Sequence, residues 1–233
     1  MKTVLITGAN RGIGLELVRQ LAAAQPCKIL ATCRNPNGAV ALNALAKAHP
    51  ETVEVLPLDV EDGASITALA DRLESVDINV LYNNAGILDW RTMEELDAAV
   101  MERIYKVNVV GAMLVLRALI PHLKRAALSL VINVSSRLGS IALRGNTQLG
   151  GAIGYSASKA ALNMLTRQAS IDLAEDGITV VSISPGWVRT DMGGPEAKYS
   201  VEESVEQILR NVEGFGPEDS GGFFGEDGER LPF

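Results

Sequence analysis

Tyr155 and Lys159 stand four residues apart in the stretch Gly154-Tyr-Ser-Ala-Ser-Lys159. Residues at i and i+4 share one helix face, so a helix here sets a phenol beside an ammonium. The ammonium should favour the phenolate, which makes the pair a proton donor able to work near neutral pH. Chance supplies many such pairs, so the meaning of this one depends on its surroundings. Ser135 and Ser136 follow an apolar run that reads as a strand, and the carboxyl ends of parallel strands are where ligands bind, so a serine there is a candidate,. Asn108 lies between Val107 and Val109 on an apolar helical tract. Its plainest reading is a buried amide satisfied by backbone.

A second group of residues reads as a nucleotide cradle. Gly8, Asn10, Arg11, Gly12, Ile13 and Gly14 lie between a short β-branched run and a segment with helical apolar spacing at Leu17, Val18 and Leu21. Strand, glycine turn and helix in that order suit a pyrophosphate. The glycines permit close approach, and the helix start offers free N–H groups and a positive dipole end. The spacing is GxxxGxG, not the common GxGxxG. About 20 residues further on, an acidic residue would grip an adenosine 2′-hydroxyl. Thr32, Cys33 and Arg34 stand there instead, with no acid. Arg34, supported by Arg11, can pair with a 2′-phosphate, so NADP(H) is expected over NAD(H).

The elements that must position these groups alternate along the chain. Strands are expected over residues 3–7, 27–33, 52–58, 78–82, 129–134, 178–183 and 223–224. Helices are expected over 15–24, 37–49, 63–73, 93–123, 153–174 and 200–212. Such alternation predicts an α/β fold, a doubly wound Rossmann-type parallel sheet in one domain over residues 1–233,. With strand order 3-2-1-4-5-6-7, the first and fourth strands flank the topological switch point. The glycine turn then faces Asn83, Asn84, Ala85 and Gly86 across the cofactor crevice.

Composition narrows the function classes. Lys plus Arg is 21 and Asp plus Glu 28, a net charge of −7. With no basic cluster, nucleic acid and anionic membrane surfaces are poor partners. Cys27 and Cys33 fall in one expected strand, unsuited to a disulfide, and nothing completes a metal site. No signal peptide is visible, and the apolar tract 107–120, interrupted by Asn108 and Arg117, is short for a bilayer,. A cytoplasmic protein is the expectation.

Together these residues resemble the short-chain dehydrogenases/reductases over essentially the whole chain. The matching pieces are Thr7-Gly8-x-x-x-Gly12-Ile13-Gly14, Asp59-Val60, Asn83-Asn84-Ala85-Gly86, Asn108, Ser135-Ser136, Tyr155-x-x-x-Lys159 and Pro185-Gly186, in the family's order. Gly139-Ser-Ile141, Ser158 to Met164, Pro185 to Gly194 and Leu231-Pro232 look like the C-factor and sniffer-type carbonyl reductases within it. The resemblance implies that Asn108, Ser136, Tyr155 and Lys159 form the catalytic set. Asn108 would hold a water that resupplies protons. Asp59 and Val60 would contact adenine; Asn84, Ala85 and Gly86 would line the crevice. Pro185, Gly186, Val188 and Thr190 would cover the nicotinamide, and Lys159 would hold its ribose. The implied activity is NADP(H)-dependent reduction of a small, fairly apolar carbonyl compound. The Ser-to-Tyr interval is about six residues longer than in many members, the extra length falling within 143–152. Many members pair into a homodimer or homotetramer through the Tyr-bearing helix, whereas members with extended loops can be monomers.

Two rivals follow. A serine hydrolase would need a base near Ser136, and the two histidines, His49 and His122, fall in helical stretches,. A C-factor-like signalling protein or sensor would bind NADP(H) with little turnover.

Overall fold

The computed structural model describes residues 1–24, 26–145 and 150–233. Among these, seven parallel strands form one sheet in the order β3-β2-β1-β4-β5-β6-β7. They are β1 (Lys2–Ile6), β2 (Cys27–Cys33), β3 (Val53–Pro57), β4 (Val80–Asn83), β5 (Ser129–Val134), β6 (Ile178–Ile183) and β7 (Phe223–Phe224). The expected order is the observed one.

Side-chain alternation along β1 shows how the sheet is covered. Val4 and Ile6 enter one core with α1 (Gly12–Ala24), α2 (Val40–Ala48) and α8 (Val201–Gly214), represented by Leu17, Leu42 and Ile208. Leu5 points the other way, among Ile66 and Leu69 of α3 (Gly63–Arg72) and Leu119 and Leu123 of α5 (Ala112–Arg125). A strand buried on both faces must be apolar throughout, which is why these runs lack strict polar alternation.

The helix expected over 93–123 differs in two ways. It starts later, at α4 (Ala98–Tyr105), where the Asp97 carboxylate accepts from the Val100 N–H at 2.9 Å and caps the end. It is also interrupted by a π-helical segment, Lys106–Gly111, that contains Asn108 and leads into α5. The continuous stretch Ala98–Arg125 has 28 residues and is apolar and long enough to cross a membrane. Val115, Leu116, Leu119 and Leu123 bury one face of it against the sheet. The segment expected to be helical over 37–49 is a 3-10 turn at Pro36–Gly38 followed by α2.

The short helix α6 (Ile141–Arg144) precedes α7 (Ile153–Asp172), which carries Tyr155 and Lys159. Of the long interval 143–152, residues 146–149 lie outside the described residues. Ala152, which precedes α7, has φ 52°, a left-handed conformation unusual for a residue with a β-carbon,. Asn83, Asn133 and Ser182 are direct neighbours across β4, β5 and β6. Asn83 Nδ2 donates to Asn133 Oδ1 at 2.9 Å, and Asn133 Nδ2 to Thr166 Oγ1 of α7 at 2.8 Å. Ser182 Oγ donates to the same Thr166 oxygen at 2.7 Å. All four side chains are buried. Asn133→Leu removes the middle of this row and costs Asn83 and Thr166 one buried hydrogen bond each, Asn83 Nδ2 keeping the Ala112 carbonyl and Thr166 Oγ1 keeping Ser182 and Leu162. It should destabilise the fold by roughly 2–3 kcal/mol, read as a lower midpoint in urea unfolding with an unchanged slope.

Candidate active site

Ser136, Tyr155 and Lys159 converge at the carboxyl end of β5. The Ser136 hydroxyl is a hydrogen-bond partner of the Tyr155 phenol. It also accepts from the Leu138 N–H at 3.2 Å, capping a short 3-10 turn, Arg137–Gly139. That turn packs directly on α7. A β-carbon on Gly139 would lie 2.7 Å from the Lys159 backbone, so only glycine lets the two segments approach this closely. Lys159 Nζ donates to the Val134 carbonyl at 2.7 Å and lies 5.5 Å from the centre of the Tyr155 ring.

The electrostatics correct one expectation. Burial dominates both groups: it pushes the Tyr155 phenol up to about 12, the Ser136 hydrogen bond pulling the other way. It pushes the Lys159 ammonium down to about 8. Withdrawal from water disfavours the charged form of each. The phenol is therefore not driven toward phenolate by its lysine in this state. It keeps its proton across the neutral range.

Asn108 is held by three hydrogen bonds. Its Oδ1 accepts from the Ile87 N–H at 2.9 Å, and its Nδ2 donates to the Ile87 carbonyl at 3.0 Å and to Ser158 Oγ at 2.9 Å. Ser158 Oγ in turn donates to the Tyr155 carbonyl at 2.7 Å. Asn108 thus ties the turn after β4 to the first turn of α7. A β-carbon at Gly86 would lie 3.3 Å from Asn108 Oδ1 and 3.7 Å from Lys159 Nζ, so these polar atoms border the same point of the crevice.

The cradle is assembled from backbone as the glycine spacing suggests. Gly8 and Gly12 have φ of 67° and 52°. A β-carbon at Gly14 would lie 2.4 Å from the Gly8 carbonyl oxygen. The first turn of α1 carries no acidic side chain, which leaves its N–H groups and dipole free for an anion,. Asn84 Nδ2 donates to the carbonyls of Thr7 and Gly8 at 2.9 and 3.2 Å. Thr7 Oγ1 accepts from the N–H groups of Asn84 and Ala85, both at 3.0 Å. One threonine thus joins the turns after β1 and β4. Thr7 was legible in the motif, but its joining role was not.

The other candidates spread around this cradle. Arg34 lies 3.8 Å from Glu61, its side chain 62% exposed. Arg11 lies 3.3 Å from Asp191, beyond β6. The two arginines rest on different carboxylates, Arg34 at the tip of β2 and Arg11 in the glycine turn, and the Arg11 pair is exposed on both sides. The Asp59 carboxylate accepts from the Glu61 N–H at 3.0 Å, and Val60 packs at Gly111 of the π-helical segment. Thr190 closes toward Gly12, where an added β-carbon would lie 3.4 Å from its methyl group. Pro185 O accepts from Ser204 Oγ at 2.8 Å, and Val188 bridges to Tyr199. His122 is buried with Nδ1 3.1 Å from the Val76 carbonyl, and His49 caps α2, so neither serves Ser136 as a base.

Asn163 was missed by sequence reasoning. Ser135 Oγ donates to its Oδ1 at 2.6 Å, and its Nδ2 donates to the Gly139 carbonyl at 3.5 Å. It lies four residues beyond Lys159 and so shares its helix face. That spacing was the available signal.

Residues 2–199 match the family model described as short chain dehydrogenase. The C-signal protein of Myxococcus xanthus is 44% identical over 157 residues, covering 67% of this chain and 93% of that protein. An NADPH-bound carbonyl reductase from chicken fatty liver superposes with a TM-score of 0.95 at 41% identity, covering 100% of this chain and 99% of that one. The carbonyl reductase Sniffer of Drosophila melanogaster superposes with a TM-score of 0.94 at 37% identity, covering 100% of both chains. With this match, these likenesses and the sheet order, the chain belongs to the short-chain dehydrogenase/reductase family of oxidoreductases.

Proposed function

We propose that residues 1–233 act as one NADP(H)-dependent carbonyl reductase unit, converting a small, fairly apolar aldehyde or ketone to its alcohol in the cytoplasm. The observation that carries this reading is the convergence of Ser136, Tyr155 and Lys159 beside a glycine cradle with Arg34 at the tip of β2. Bound in that cradle, NADPH would supply a hydride to the carbonyl carbon. The cradle residues Gly8, Gly12 and Gly14 would admit its pyrophosphate, and Arg34, supported by Arg11, would pair with the 2′-phosphate. Asn10 and Ile13 complete the first turn. Asp59 and Val60 would meet the adenine; Asn84, Ala85 and Gly86 would form the crevice floor. Pro185, Gly186, Val188 and Thr190 would cover the nicotinamide end.

Ser136 would donate its hydroxyl to the substrate oxygen and hold the carbonyl beside Tyr155. As negative charge develops on that oxygen, Tyr155 would pass it the phenolic proton, giving the neutral alcohol. The phenol, pushed up to about 12 by burial, enters the reaction protonated; an acid so far above neutral is a weak donor, so the charge developing on the substrate oxygen must draw the proton from it,. Lys159, in its ammonium form, would hold the ribose hydroxyls and stabilise the phenolate left behind. Asn108 would fix the crevice floor and face a water that returns the proton. A homodimer or homotetramer, paired through α7, is the expected assembly.

A second reading has one observation in its favour, the 44% identity to C-signal. In it the chain binds NADP(H) for signalling with little turnover.

Tyr155→Phe removes the acid and leaves the cradle intact. Carbonyl-dependent NADPH oxidation should fall by roughly 10²–10⁴-fold, with NADPH affinity from fluorescence titration preserved. Wild-type turnover in that variant would exclude Tyr155 as the acid. The pH profile has a defined sign. Lys159 has a lowered pKa, so its ammonium is present below about 8 and lost above it. Tyr155 stays protonated until about 12. At saturating NADPH, kcat/KM for reduction should therefore be level below pH about 8 and fall above it. A rate that rises through that range would contradict the assignment.

A further inference from the structure

Glu226 is a buried acid that the reduction chemistry leaves without a role. It is 8% exposed and lies in the tail just after β7. One carboxylate oxygen accepts from Arg137 Nε at 3.0 Å, and the other from the Tyr199 hydroxyl at 3.3 Å. Arg137 follows Ser136 directly. Tyr199 closes the loop that begins at Pro185: its N–H donates to the Trp187 carbonyl at 3.0 Å, and its carbonyl accepts from the Arg189 N–H at 2.9 Å. Gly186, with φ 78°, presses against both. A β-carbon there would lie 2.8 Å from the Tyr199 ring and 3.2 Å from the Glu226 carboxyl carbon.

Ser184 supplies a parallel tie in the backbone. Its Oγ accepts from the Arg137 N–H at 3.1 Å and from the Gly186 N–H at 3.4 Å. The segment holding Ser136 and the neck of the loop over Gly186 therefore share two anchors, one at Ser184 and one at Glu226. Arg137 also meets Glu229 at 3.0 Å and Asp227 at 3.7 Å, but those side chains are more than half exposed. Exposed pairs contribute little, and a buried carboxylate bridging two donors fixes geometry.

We infer that Glu226 is a positioning residue that locks the neck of the Pro185 to Tyr199 loop to the Ser136–Arg137 segment, so that the two sides of the reaction cleft keep a fixed separation. This rests on the reduction reading for its kinetic consequence only. The tie itself is a property of the protein without ligand. Glu226→Gln can preserve it, since the amide oxygen can accept from Arg137 while its N–H donates to the Tyr199 oxygen. Glu226→Ala cannot. Arg137 keeps two other carboxylates in Glu226→Ala, which protects the fold.

The test has two arms. In the ligand-free protein, hydrogen exchange at the Arg189 and Tyr199 amides should quicken by roughly 10-fold or more in Glu226→Ala, because local opening of the neck is no longer opposed. It should stay near wild type in Glu226→Gln and in Glu229→Gln. In the enzyme, Glu226→Ala should lower kcat by roughly 10- to 100-fold, as expected when reacting groups are misplaced by about 1 Å. KM for the carbonyl and Kd for NADPH should move less than about 3-fold, and the deuterium isotope effect with 4-deuterated NADPH should rise, because hydride transfer becomes more rate-limiting. Unchanged exchange in Glu226→Ala would overturn the inference, as would a Glu229→Gln variant that reproduces its effects. Unchanged kcat with quickened exchange would overturn the link to the cleft. A wild-type protein with no carbonyl turnover would sink the reduction reading instead, while the exchange arm would still decide on the tie.

Discussion

The seating of α7 on β5 is the constraint on which the rest of the site depends. That interface is polar where most helix–sheet contacts are apolar. Lys159 reaches the Val134 carbonyl, Asn163 grips Ser135, and Thr166 takes Asn133 and Ser182. These residues follow Tyr155 along one helix face, so the face that carries the chemistry also carries the anchors. Apolar contacts tolerate sliding, whereas hydrogen bonds between buried groups do not, because a slip leaves donors and acceptors unpaired in a medium without water. The helix is thereby fixed in rotation and in register. Ser136 lies on the strand side of the same contact, and the close packing of Gly139 on Lys159 removes the remaining freedom.

Burial then decides the charge state of the pair. Withdrawal from water disfavours the charged form of each group, so the phenol holds its proton and the ammonium is weakened. The proposed reduction would begin from this protonated phenol. Burial also leaves Lys159 close to losing its charge near neutral pH, so small changes around it have a large effect on protonation.

Much of this was legible in the sequence because it is carried by local patterns. The alternation of apolar runs with helical spacing led to the doubly wound parallel sheet, and the strand order came with the Rossmann-type fold. Tyr155 and Lys159 were found from an interval of four, and Gly8, Gly12 and Gly14 from their place between a strand and a helix. Other features had no local signature. The π-helical turn at Asn108 is a change of hydrogen-bond register, and no residue type announces it. Its consequence is that Asn108 meets Ile87 and Ser158. The Arg137–Glu226 contact joins residues 89 apart and depends on how the tail returns past β6. The effect of Lys159 on Tyr155 was misjudged for a related reason. Spacing shows proximity, but burial, which sets the outcome, belongs to the whole fold. Arg11 and Arg34 were grouped by charge and place in the motif; the exposed Arg11–Asp191 contact, between residues 180 apart, had no local signature.

Everything proposed for this cleft depends on hydride transfer from NADPH to a carbonyl. Oxidation of NADPH against a panel of aldehydes, ketones and quinones, with NADH run in parallel, tests it most directly. At least one apolar carbonyl compound should turn over, faster with NADPH than with NADH because Arg34 stands at the tip of β2 where an acid would otherwise select the 2′-hydroxyl,. Tight NADPH binding with no turnover across the panel would contradict it, and so would a clear preference for NADH.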